Sequence, residues 1–152
     1  MQLATPIFQE GERREWLGLL ARAPLAMLEA WRACQPAREV AWLRPPETGL
    51  VMVRARAGGT GAQFNLGEMT VTRCALKLGA TAGVAYVQGR SARHAEIAAL
   101  ADALLQTTEG AAVRRALIEP IRARLAADAS TERHRAQATK VEFFTLAREA
   151  SD

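Results

Sequence analysis

At 152 residues, with 49% hydrophobic and 24% charged side chains, the chain has the size and balance of one globular domain, which sets it apart from disordered and membrane classes. No apolar run approaches the ~20 residues of a transmembrane helix, and the opening MQLATPIFQEGERREW lacks the basic-then-apolar order of a signal peptide, so the cytoplasm is the expected compartment. The net charge of +4 and a pI near 9.8 suit an anionic ligand or an acidic partner, while 5% aromatics argue against a nucleic-acid reader built on stacking.

In chain order, Glu10 to Ala21 places Trp16, Leu17, Leu20 and Ala21 at helical spacing, with acidic residues early and Arg22 at the end as the helix dipole prefers. Pro24 breaks this helix and suits the first position of a second, to Ala33, whose Leu25, Leu28 and Trp31 share a side. From Glu39 the pattern alternates. Val40 to Trp42 predicts a short strand before the Pro45-Pro46 pair, and Gly49 to Ala57 predicts the clearest strand. Within it Val51, Val53 and Ala55 point one way and Leu50, Met52, Arg54 and Arg56 the other. After a turn at Gly58-Gly59-Thr60-Gly61, strands are expected at Gln63 to Leu66, Met69 to Leu78 and Val84 to Gln88, with Gly67-Glu68 turning between the first two. Such short links demand antiparallel pairing. Ser91 is a good N-cap for a helix to about Gln106, and helical patterning resumes beyond Gly110, ended or kinked by Pro120, and runs on to about Arg135. The tail from Thr139 to Arg148 fits a strand or a helix, and its alternation of Val141, Phe143 and Thr145 favours the strand. The expected fold is α+β: a single domain over 1–152, with an antiparallel sheet of about four to five strands between N-terminal and C-terminal helices.

The chemistry on offer is sparse. Gly58, Gly59 and Gly61 expose backbone amides that suit an anion, but no G-x-x-x-x-G-K-[ST] opens a helix here, so a hairpin turn is the better reading. Arg54, Arg56, Arg73 and Lys77 recur with period two, and if their faces match across paired strands they form a cationic patch for phosphate or an acidic partner; the plain alternative is a solvated sheet face. His94 lies in the first turn of the Ser91 helix beside Arg90 and Arg93, at the margin of an apolar stripe, where a half-buried packing or interface role outweighs a catalytic one because Asp102 is out of reach. Glu47 and Thr48 follow the prolines as a turn cap or ligand neighbour. Cys34 and Cys74 have no CxxC spacing, so both are expected reduced and partly buried, without a metal or a disulfide. Acidic residues interleave with Arg114, Arg115, Arg122, Arg124, Arg133, Arg135 and Lys140, so the basic C-terminal third predicts a solvated helical face before an RNA-binding one. No residue is singled out as catalytic.

Taken in order, ETGLV (47–51), ARAGGTG (55–61), TRCALKL (72–78), QGR (88–90), HAE (94–96), LIEP (117–120) and VEFFT (141–145) resemble the PhnG family of the carbon-phosphorus lyase system, over about Trp16 to Arg148. The resemblance implies a cytoplasmic accessory subunit of a complex that catabolises phosphonates, without a cofactor of its own. In that system an alkylphosphonate displaces adenine from ATP, the complex's substrate, to give a ribose 1-phosphonate 5-triphosphate. It further implies that the nucleosidase centre sits on an I subunit, with H and J subunits and an L component as further partners, and that the iron-sulfur radical chemistry belongs to J. This chain lacks the cysteines for such a cluster. On that footing the arginine face and glycine turn are expected to dock on the I subunit or border its substrates, with Leu50, Met52 and Phe64 as exposed apolar contacts. The alternative is a chain that itself binds ATP or phosphonate within the active centre.

Overall fold

The computed structural model describes residues 10–140. Two short helices open it, α1 (Glu10–Arg22) and α2 (Leu25–Ala33), with Pro24 extended between them as the N-cap of α2 and not its first helical residue. Three strands follow, β1 (Ala41–Arg56), β2 (Gln63–Leu78) and β3 (Thr81–Gln88), in a single antiparallel sheet of order β1-β2-β3. Helix α3 (Ala92–Leu105) comes next, then α4 (Gly110–Val113), a π turn over Arg114–Ile118 and α5 (Glu119–Ala138). The α+β class is as expected, but the described residues hold three strands where four to five were predicted, because two expected interruptions do not interrupt.

The first is Pro45-Pro46. Proline has no N–H to give to a ladder, which confines it to edge strands and bulges, and β1 is an edge strand. Trp42 pairs with Leu76, Arg44 with Ala75 and Glu47 with Arg73, so β1 carries an extra residue on each side of Arg44 and passes the prolines as a bulge. The second is Gly67-Glu68. Val53 pairs with Gly67 and Arg54 with Asn65, which leaves Leu66 as a bulge inside one continuous β2. The turn at the end of this hairpin is where it was predicted: a short 3₁₀ turn at Ala57–Gly59, with Gly58 and Gly59 at φ of 57° and 81°, the left-handed region that favours glycine. Pro120 neither ends nor sharply breaks the C-terminal helix. It cannot donate to the Ala116 carbonyl, and the wider π turn lies immediately before it.

The sheet is helix-covered on one face. Thr72, Cys74 and Leu76 of β2 and Gly83, Ala85 and Val87 of β3 point to the helices and are buried, while Arg73, Lys77 and Tyr86 occupy the other face. α3 is the central helix, and nearly all of it is buried, from Ala95 through Leu105. Trp16, Leu20, Leu28, Leu117 and Ile121 complete the core around it. Alanines at 95, 98, 99, 101 and 103 let α3 lie close to the sheet. At Gly83 the approach is closest, since a Cβ built there would stand 2.0 Å from the Ala99 carbonyl oxygen and 2.8 Å from the Ala103 backbone nitrogen.

One charge is sealed into this core. Asp102 is fully buried, and both carboxylate oxygens are saturated: Oδ1 accepts from Arg13 Nε at 3.2 Å and Trp16 Nε1 at 2.9 Å, and Oδ2 from Arg13 Nη2 at 2.8 Å and the Val84 amide at 2.9 Å. A single side chain thereby ties α1, α3 and β3 together, and its ionic partner Arg13 keeps its guanidinium partly wet. Among the described residues no helix is long and apolar enough to cross a membrane.

Cys74 is buried under the sheet as expected, but Cys34 is exposed at the end of α2, a correction to the expectation that both are partly buried. Burial, with a smaller push from the Glu96 carboxylate, raises the Cys74 thiol to about 11. At pH 8 Cys74 therefore stays a protonated thiol and a poor nucleophile. A chromogenic disulfide reagent should titrate one thiol per native chain, Cys34, and the second only after denaturation; two fast thiols in the native protein would contradict this packing.

Candidate functional site

The feature that departs from a closed domain is the far half of the β1–β2 hairpin. β3 pairs with β2 only from Val71 to Leu78, its last row being Val71 opposite Gln88. Beyond that row β1 and β2 run on alone, from Leu50 opposite Thr70 to Arg56 opposite Gln63. At ~3.3 Å per residue this two-stranded arm projects about 23 Å past the three-stranded sheet. A two-stranded ribbon in water has little of its own to hold it, and this one leaves large apolar side chains in the open: Leu50 is 61% exposed, Leu66 64%, Met52 52% and Phe64 45%.

Register sorts the arm's side chains. Cross-strand partners share a face, so Leu50, Met52, Arg54 and Arg56 lie with Thr70, Glu68, Asn65 and Gln63, while Val51, Val53 and Ala55 lie with Met69, Gly67 and Phe64. The first set continues the face that the helices cover in the body, because Thr48 opposite Thr72 belongs to it. The second continues the open face of Arg73 and Tyr86. Each face of the arm thus carries apolar area, and the first adds two arginines toward the tip.

The same register separates the four cations expected to form one patch. Arg54 and Arg56 sit on the arm, Arg73 lies opposite Glu47 in the three-stranded body, and Lys77 lies opposite Ala41 at the far end. Arg73 and Lys77 are on the open face, and Arg54 and Arg56 on the other. What forms around Arg73 is an ion cluster: its Nε donates to Glu47 Oε1 at 2.6 Å, and Arg44 donates to the same oxygen. Those two guanidiniums, Arg44 first, hold the Glu47 carboxyl below the ordinary range, and Glu47 in turn raises Arg73. Arg90 is exposed on the bend after β3 and joins neither group.

The glycine turn closes on itself through several of its own amides, Thr60 N–H among them. Gly61 N–H donates to the Ala57 carbonyl at 2.8 Å and Ala57 N–H to Ala62, while Arg56 donates to the Gly61 carbonyl at 3.2 Å. Gly58, Gly59 and Gly61 serve the hairpin. His94 is buried, more deeply than the half-burial expected, with Nε2 2.8 Å from the Leu20 carbonyl and its amide donating to the Ser91 cap at 3.2 Å. It pins α3 to α1 and does not contact Asp102. In the C-terminal third, Arg124 pairs with Asp128 along the helix as interleaved charges predict, while Arg114 and Arg122 reach across to Glu12 and Glu15 of α1. Beyond Leu125, α5 is exposed nearly all round and extends about 20 Å from the body.

Sequence reasoning passed over one constellation. Arg32 in the last turn of α2, Arg38 before β1 and Arg93 in the first turn of α3 line a single cavity of about 150 Å³, floored by Val40, Leu76, Ile97 and Leu100. They come from three elements, and no local spacing announces them. Among the described residues there is no cluster of histidine, cysteine, aspartate or glutamate able to hold a metal.

The chain is 46% identical, over 140 residues covering 90% of it and 89% of the relative, to the alpha-D-ribose 1-methylphosphonate 5-triphosphate synthase subunit PhnG of Rhizobium meliloti (strain 1021). A family model described as phosphonate metabolism protein PhnG matches residues 11–149, nearly the whole length, and the chain therefore belongs to the PhnG family.

Proposed function

We propose that this chain is a non-catalytic accessory subunit of a cytoplasmic carbon-phosphorus lyase complex. It supports the step in which an alkylphosphonate displaces adenine from ATP to give a ribose 1-phosphonate 5-triphosphate. The relative's name, a subunit of a synthase of that product, supports the assignment. So does the distribution of chemistry in the chain: its buried histidine and carboxylate are each consumed by structural bonds.

The observation that carries the reading is the arm. Chains that work alone rarely leave four large apolar side chains on an unsupported ribbon, and such a surface marks a protein interface. The I subunit is the proposed occupant, contacting Leu50 and Met52 and meeting Arg54 and Arg56 with acidic groups; H, J and the L component complete the assembly. Burying one such side chain contributes ~1.5–3 kcal/mol. Because Leu50 and Met52 are exposed, the double variant Leu50→Asp, Met52→Asp should fold normally by circular dichroism. Co-expressed with its partners, it should lose co-purification by tenfold or more, and Arg54→Glu with Arg56→Glu should weaken it further at low salt than at high. Unchanged co-purification of a folded double variant would remove the arm from the interface.

A further inference from the structure

The cavity among α2, α3 and β1 is the second place where the chain has more recognition chemistry than its fold consumes. We propose that it is a binding site for a small tetrahedral oxyanion, a phosphate or phosphonate group, held by Arg32, Arg38 and Arg93. Three guanidiniums converging from three elements repel one another unless something negative stands among them. Among the described residues two carboxylates meet them, Glu109 and Glu96. Glu109 takes both terminal nitrogens of Arg38, at 3.0 and 2.6 Å. Glu96, which lines the cavity, reaches Arg93 at only 3.5 Å. Arg32 spends one N–H on the Gln35 carbonyl at 3.3 Å. One positive charge is left over, and so are most of the Arg32 and Arg93 donors.

Arg38 adds an independent sign. Its Nε is buried and makes no hydrogen bond, although each of its terminal nitrogens donates to Glu109. A buried charged donor without an acceptor is costly, and in native proteins it marks the place of an ion or a water. The cavity is about 150 Å³, roughly five times the ~30 Å³ that a water occupies in the liquid. That admits a phosphate or a short alkylphosphonate, whose alkyl group would rest on Val40, Leu76 and Ile97. Arginine forks match the geometry of such oxyanions as single point charges do not.

This site is separate from the arm and does not rest on the docking reading. The test is titration of the purified full chain with orthophosphate and with methylphosphonate, followed by calorimetry and by the ¹⁵N-resolved Nε–H resonances of arginine. Arg38 variants are avoided because they also break the Glu109 pair. Arg32→Gln and Arg93→Gln lie at the rim, and each should weaken binding about tenfold, the loss of one charged hydrogen bond. Arg135→Gln on the projecting part of α5 should leave it unchanged. Saturation by methylphosphonate alone would identify a phosphonate site, and equal response to both ions a general phosphate site; each supports the proposal. No saturable response at ~10 mM ligand, where a millimolar site is mostly filled, would overturn it. So would rim variants that bind like the parent, or acetate binding as tightly as phosphate. Co-purification with partners reads the arm and not this cavity, so either reading can fail while the other stands.

Discussion

Replacing Asp102 with asparagine is expected to cost about 3–5 kcal/mol of folding free energy, the usual penalty for breaking a buried ion pair from one side. For a chain of this size that lowers the melting temperature by about 10 °C or more. The reason lies in the saturation of the carboxylate. Arg13, Trp16 and the Val84 amide present four donor contacts to it, and an asparagine must turn an NH₂ toward two of them. Chemical denaturation measures the effect. Combining the change with Arg13→Met, which removes the unpaired guanidinium, should recover part of the loss, as coupled neighbours do. A loss below about 1 kcal/mol would mean that the carboxylate is not the clasp described here.

The second large effect is expected at Gly83. Alanine there would place its Cβ 2.0 Å from the Ala99 carbonyl oxygen, a clash with backbone that no rotamer change relieves. α3 must then slide off β3, and because α3 is the central helix of the core the cost should reach the top of the range for overpacking, about 3 kcal/mol or more. Gly49, whose Cβ would meet nothing within 4 Å, is the matched control, and Gly49→Ala should fall within about 0.5 kcal/mol of the parent. If the two variants unfold at the same denaturant concentration, the close approach of helix and strand is wrong.

These two positions also show what a reader of the sequence can and cannot see. Helices α1, α2 and α3 were legible because their signals are local: the apolar spacing around Trp16, proline ahead of α2, and Ser91 capping α3 with its hydroxyl on the His94 amide. The glycine turn was legible for the same reason. Strand number was not, because a proline pair ends a central strand but merely bulges an edge strand, and which strand is the edge is settled by the whole sheet. The cationic patch failed on register, since a period of two within each strand says nothing about which residues stand opposite, and the Leu66 bulge shifts the pairing again. Asp102 did leave a trace. A lone carboxylate inside IAALADALL, at helical spacing from Ala95 and Ala98, sits where only a paired charge is tolerated. Its partner Arg13 lies 89 residues away, beyond any local pattern. Arg32, Arg38 and Arg93 left none, because arginine at a helix end or in a connection is unremarkable in each place alone. The strand favoured for residues 139–148 lies almost wholly outside the described residues.

The irregularities of the hairpin have a bearing on the life of the chain before assembly. A long, flat ribbon with open edges and apolar faces is a template for copies of itself, and proteins that must display one blunt it with bulges, proline and charge. Here the pairing is broken at three points, on each side of Arg44 (the second carrying the paired prolines) and at Leu66, while Arg54, Arg56 and Glu68 place charges along the arm. Two such ribbons are poorly matched for pairing edge to edge. The consequence lies in self-association: the irregularities that shape the hairpin also deny a second copy of this chain a straight edge to pair with.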